Sequence, residues 1–149
     1  MREFEFIEGI SLNFKMEHLY QSKYQQIDFD SNTGIMQNTW TSDSIFMTAD
    51  EYKGNLEKLV NLIREHKATK QLINALNFEF TIDIELQRWT DEKVNKMNRE
   101  SGVNKVAVVI AEEIFSQMSI EQTMEFAEGS GMDIRYFITA QEARQWLIE

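Results

Sequence analysis

Residues 106–111 read Val-Ala-Val-Val-Ile-Ala, six positions without one polar side chain. The run is far too short to cross a membrane, and its β-branched content suits a strand better than a helix. A strand with no water-seeking face must be covered on both sides. That is the position of a central strand in a parallel sheet, whose crossover connections lay helices over its faces. The chain around it must therefore alternate strands with helices.

It does. Tyr24–Asp30 and Ile35–Thr41 flank Ser31-Asn32-Thr33-Gly34, a turn composition that joins two antiparallel strands into a hairpin. Thr48-Ala49-Asp50-Glu51 is a capping box, and Tyr52, Leu56, Leu59, Val60 and Ile63 follow at helical spacing. Leu72–Leu76 is a short apolar strand, and Asn77–Thr81 a loop. Ile82, Leu86 and Trp89 open a second amphipathic helix, continued by Val94 and Met97 and stopped by Gly102. After the central strand, Ser119-Ile120-Glu121-Gln122 begins a third helix that Gly129-Ser130-Gly131 ends. Ile134–Ile138 is the last strand, and Thr139 to Glu142 caps a final helix containing Ala140, Ala143, Trp146 and Leu147. The expected fold class is α/β: an N-terminal β-hairpin, then alternating helices and strands, with a mostly parallel sheet of about five strands and four helices. Residues 18–149 form one domain. Residues 1–17 are an N-terminal extension or an extra edge strand, because Ile10 to Met16 alternate apolar and polar. Phe4, Phe6 and Ile7 ahead of them make a sticky terminus suited to pairing with a second copy.

The charge excludes some partners. With 25 acids against 15 Lys and Arg, the net charge is −10. Such a surface repels phosphate backbones and anionic leaflets, so nucleic acid is not an expected partner, and with no run of 18 apolar residues neither is membrane insertion. The chain has no cysteine, which removes disulfides, thiolate nucleophiles and cysteine-bearing zinc sites. No signal peptide opens it, and the cytoplasm is the expected location.

No catalytic residue, metal site or cofactor is expected. His18 and His66 belong to no zinc spacing, and Gly129-Ser130-Gly131 follows a helix where a phosphate-cradling loop would follow a strand. In open α/β sheets, ligands gather beyond the carboxyl ends of the parallel strands. This singles out Asn77-Phe78-Glu79-Phe80-Thr81, Glu112-Glu113 and Thr139. Glu79, Asp83, Glu112 and Glu113 are there the carboxylates available to hold a divalent ion or to act as an acid/base pair. Phe78, Phe80 and Trp89 are candidates to roof an apolar cleft, with core closure as the plainer role. From Val106 to Ile134 no Lys or Arg occurs, while Glu121, Glu125 and Glu128 recur on one face of the third helix. Like charges at that spacing repel, so this face is a candidate docking surface for a basic protein.

Taken in order, the hairpin, the loop-to-helix step at Asn77–Asp83, the Val-Ala-Val-Val-Ile-Ala strand and the closing Arg135-Tyr136-Phe137-Ile138-Thr139, Glu142-Ala143 and Trp146-Leu147 resemble the STAS/SpoIIAA-like superfamily, and more closely its small stand-alone bacterial members. The resemblance covers about residues 18–149. It implies a non-catalytic binding module. In the anti-sigma-factor antagonists of that superfamily, a Ser or Thr at the helix start after a central strand is phosphorylated. The matching stretch here holds Asn77, Glu79, Thr81 and Asp83, with Thr81 its hydroxyl, although the Asp-Ser-Ser-Gly signature is absent. Lipid-binding relatives imply an alternative, a carrier of a small apolar ligand. A metal-assisted enzyme at the strand ends is the second alternative. The reading overall is a cytoplasmic binding or regulatory domain acting through protein contacts.

Overall fold

The computed structural model describes residues 2–7, 10–118 and 131–149, and the side-chain surroundings of those from residue 16 onward. The expected third helix, with Glu121, Glu125 and Glu128, lies outside the described residues.

Seven strands form one sheet in sequence order: β1 (Arg2–Ile7), β2 (Ile10–Gln21), β3 (Gln25–Asp30), β4 (Ile35–Trp40), β5 (Lys70–Asn74), β6 (Lys105–Val109) and β7 (Asp133–Phe137). The first three pairings are antiparallel and the last three parallel. Consequently β2 and β4 to β7 run one way and only β1 and β3 run the other, so the sheet is mostly co-directional, as an all-aliphatic central strand requires. The expected hairpin is β3–β4, turning through Gly34 at φ 77°. Ahead of it the N-terminal residues add a second hairpin, β1–β2, and β2 continues through residue 17 without a break.

Helix α1 (Ala49–His66) starts as its sequence dictates: Thr48 Oγ1 accepts from the Glu51 amide and the Glu51 carboxylate accepts from the Thr48 amide. Tyr52, Leu56, Leu59, Val60 and Ile63 are all buried. The second helical run consists of α2 (Ile84–Trp89), a π-helical segment (Thr90–Asn95) and α3 (Lys96–Glu100). Leu86, Val94 and Asn98 are its buried side chains. Steps of four residues precess by about 40° in an α-helix, and the wider π turn takes up that drift, keeping them on one face. A short helix, α4 (Glu112–Gln117), follows β6, and α5 (Ala140–Ile148) ends the chain behind its Thr139 cap.

The sheet separates two cores. Ile27, Met36, Leu59, Ile63 and Val106 belong to the larger, under α1 and the second helical run. Ile35, Leu72, Ala107 and Val109 meet Ala143, Trp146 and Leu147 of α5 on the opposite face. From Val106 to Val109, strand β6 thus sends alternate residues into different cores, which is why that stretch has no polar position.

Candidate functional site

Because β4, β5, β6 and β7 are parallel neighbours, their carboxyl ends lie along one rim of the sheet. The Ala75 amide donates to the Val109 carbonyl and the Ile110 amide to the Phe137 carbonyl, both at 2.9 Å, so the departing segments stay side by side. A 3-10 turn (Ser42–Phe46) follows β4, and its buried Ser44 accepts from the Glu79 amide at 2.9 Å, tying that turn to the loop after β5. The rim is therefore a continuous ledge built from residues 41–47, 75–83, 110–118 and 138–139.

The ledge exposes large apolar side chains to solvent. Phe46 is 70% exposed and Ile84, which opens α2, is 79% exposed. Ile45, Leu76, Ile114, Phe115 and Ile138 complete the set of large apolar side chains left exposed among the described residues, and every one sits on this rim or at its border. The four ledge segments also contain Asp43, Glu79, Asp83, Glu112 and Glu113, with no Lys or Arg. Lys23, from the turn before β3, reaches over the Phe46 ring at 5.9 Å from its centroid.

The sequence-derived candidates fall on this ledge in different roles. Asn77 is exposed in a turn, Glu79 is held through its backbone, and Thr81 is exposed in the extended stretch leading to α2. Asp83 is the helix cap, accepting from the Leu86 amide at 2.9 Å. Glu79, Asp83, Glu112 and Glu113 are all exposed, and among the described residues no three potential metal ligands converge. Glu112 and Glu113 stand in the first turn of α4, a helix beyond the four that the sequence predicts.

Behind the ledge, between β4–β7 and the helices α1 and α2, lies a cavity of about 250 Å3. Trp40, Tyr52 and Phe78 line it; Phe80 stacks on Tyr52 at 5.1 Å between ring centroids, and Trp89 tilts against Tyr52 at 6.3 Å. Of the three expected cleft aromatics, Phe78 faces the cavity while Phe80 and Trp89 pack behind its wall. Along the sheet face runs a row of side-chain amides. Gln25 donates to the Asn55 carbonyl at 3.0 Å, Asn38 to Gln25 at 3.2 Å, Gln71 to Asn38 at 3.1 Å, and Asn98 more distantly to Gln71 at 3.5 Å. All five residues are buried, and Asn98 Oδ1 has no partner among the described residues. Burial pushes the hydroxyl pKa values of Tyr52 and Tyr136 up, so both stay neutral donors in the cavity wall. The tyrosine at position 52 also shares a 2.8 Å hydrogen bond with Thr90 in the π-helical segment.

Neither the apolar ledge nor the amide row was found from the sequence. Ile45, Phe46, Ile84, Ile114 and Phe115 belong to no stripe of matching period, and that absence was the available sign. Gln25, Asn38 and Gln71 alternate with Ile27, Met36, Trp40 and Ile73, so a polar residue in step with buried neighbours was the other.

A family model described as SpoIIAA-like matches residues 40–148, which takes in the ledge and every residue lining the cavity except Asn38. No curated protein and no solved structure matches the chain.

Proposed function

The chain belongs to the SpoIIAA-like family, and from that premise we propose that it is a non-catalytic regulatory domain that binds another protein on its carboxyl-end ledge. The observation that carries this reading is the gathering of the exposed large apolar side chains onto that one rim. Apolar surface rimmed by polar residues marks an interaction site, whereas scattered apolar residues need no explanation. The acids on the same segments specify the partner further: apolar at its centre, basic at its edge. They also weigh against an anionic membrane as the occupant. Glu121, Glu125 and Glu128 extend the same preference for a basic protein. The proposed location is the cytoplasm.

Affinity capture with quantitative mass spectrometry tests the reading, using the wild type beside a Phe46→Ser/Ile84→Ser/Phe115→Ser variant. All three side chains are at least 45% exposed, so the variant keeps its thermal midpoint within a few degrees. The expected result is a defined set of captured proteins lost with the variant. An identical set from both proteins overturns the ledge as the docking surface. A Glu121→Lys/Glu125→Lys/Glu128→Lys variant, run in parallel, separates the ledge from the acidic face.

A second reading, a carrier of a small ligand, is favoured by the cavity. The N-terminal hairpin is assigned to a contact with a second copy of the chain.

A further inference from the structure

The cavity differs chemically from the ledge above it: in a chain with 27% charged residues, none of the residues lining it is charged. Its floor follows from strand register. Asn38 is opposite Ile73, Ile73 opposite Val108, and Val108 opposite Tyr136, so these four form one lateral row across β4 to β7. Each lines the cavity. The row is polar at both ends and aliphatic in the middle.

The polar ends retain hydrogen-bonding capacity. A side-chain amide oxygen accepts twice and its nitrogen donates twice. Asn38 uses its oxygen once, for Gln71, and its nitrogen once, for Gln25. The Tyr136 hydroxyl has no hydrogen-bond partner among the described residues, although its surroundings are buried enough to raise its pKa. A hydroxyl left so in a cavity wall is available to a ligand.

Size bounds the ligand. A dry cavity of about 150 Å3 accepts benzene, so about 250 Å3 takes a body nearer two fused rings. Pockets for drug-sized molecules start at about 300 Å3, and a diacyl lipid is larger again. The wall is compatible with ring faces, since Trp40, Tyr52 and Phe78 all contribute to it. An ion placed here would lose its hydration without meeting a counter-charge. The helix over the cavity carries its π-helical segment at Thr90, Val94 and Asn95, all lining residues; such wide turns recur at functional sites.

We propose that this cavity binds a compact, neutral, two-ring-sized molecule bearing a hydroxyl or amide group, which hydrogen-bonds at the Asn38 or the Tyr136 end of the floor. The inference deepens the carrier reading by naming its ligand class, and it does not depend on what docks on the ledge.

Three matched probes test it by isothermal titration calorimetry on the full chain at pH 7: 2-naphthol, naphthalene and 2-naphthoate. The expected result is saturable binding of 2-naphthol, about tenfold tighter than naphthalene, with 2-naphthoate weaker than either. Val108→Phe, which fills the floor, should abolish 2-naphthol binding. Tyr136→Phe, which removes the hydroxyl at one end of the floor, should weaken it several-fold while leaving naphthalene unchanged. Should Val108→Phe not fold, the nearly isosteric Tyr136→Phe and the probe series carry the test. Failure of 2-naphthol to saturate the wild type, a preference for the anion, or equal binding to wild type and folded Val108→Phe would each overturn the proposal. The ledge variant should bind 2-naphthol as the wild type does, so loss of partner capture and loss of probe binding are separate results.

Discussion

The side-chain oxygen of Asn38 accepts a 3.1 Å hydrogen bond from the side-chain amide of Gln71, one strand away, where both residues are almost wholly buried. Through it β3, β4, β5 and the second helical run are joined by side chains as well as by backbone. Buried amides are costly without partners and specific with them, so the row fixes how the sheet face meets its helices.

The row makes an asymmetric prediction. Asn38→Leu strips a donor from Gln25 and an acceptor from Gln71 in the core. Each orphaned group costs about 1–3 kcal/mol, so a loss of roughly 2–4 kcal/mol is expected. Asn98 stands at the row's end with a 3.5 Å bond and an oxygen that has no partner among the described residues. Asn98→Leu should therefore cost less than Asn38→Leu, since it orphans one group, the Gln71 side-chain oxygen, across a long bond and takes an unpaired oxygen out of the core. Urea denaturation of the two variants checks the order; a larger loss at position 98 would contradict it.

A second prediction concerns acid. The Glu51 carboxylate accepts from the Thr48 amide at 3.0 Å and from the Tyr24 hydroxyl at 2.9 Å. The Thr48 backbone bond and then the Tyr24 hydroxyl hold its pKa below the ordinary range. A carboxyl with a depressed folded value contributes stability that is complete above its unfolded value, about 4.3 for Glu, and is lost as pH falls through the folded value. Glu51→Gln should flatten that acid limb of the stability–pH curve and leave its neutral part parallel to the wild type. An unchanged acid slope would show that other carboxyls account for it. Thr48→Ala, removing the reciprocal bond, should cost about 1 kcal/mol at neutral pH.

Backbone geometry gives a third. Lys67 ends α1 at φ 55°, the one positive value outside glycine among the described residues. Left-handed backbone costs a side-chain-bearing residue about 1–2 kcal/mol, partly offset on replacement by the greater chain entropy of unfolded glycine. Lys67→Gly should raise stability by about 0.5–1 kcal/mol. Gly34→Ala should do the reverse. Its φ is 77°, its new Cβ would lie 2.8 Å from Thr69 Oγ1, and its carbonyl accepts from both Thr69 and Lys70 where β5 begins. Thermal midpoints moving in opposite directions are the expected signature.

The frame was legible wherever one local rule dominated. Val106–Ala111 demanded two covered faces and has them; Thr48/Glu51 and Thr139/Glu142 formed the expected cap bonds. Legibility failed where a residue's role depends on a distant partner. Asn38 and Gln71 are 33 positions apart, and nothing local distinguishes a buried paired amide from a polar residue facing water. Ile82, expected to open the second helix, lies just ahead of it: the helix starts at Ile84 because Asp83 supplies the capping oxygen. The π-helical segment left a trace, in the five-residue gap between Trp89 and Val94. The ledge left almost none: Phe46 and Phe115 are exposed because the four strand ends align, a property of the sheet and not of either segment.

The N-terminal hairpin yields the last prediction. Residues 10–15 of β2 pair with β1, while residues 16–21 pair with β3. The first half of β2 is thus half of a two-stranded ribbon, and an isolated ribbon of that kind is at best marginally stable in water. Its sequence contains Phe4, Phe6, Ile7, Ile10, Leu12 and Phe14, ample apolar material for burial against a second copy. Light scattering on the full chain should give a dimer, and removal of residues 1–15 should give a monomer whose far-ultraviolet dichroism and cooperative melting persist, because both cores lie downstream. A full chain that is monomeric at micromolar concentration, or a shortened chain that remains dimeric, would remove the hairpin from the interface. A dimer that dissociates while 2-naphthol binding is retained would place the ligand site within a single copy, as the floor residues from β4 to β7 require.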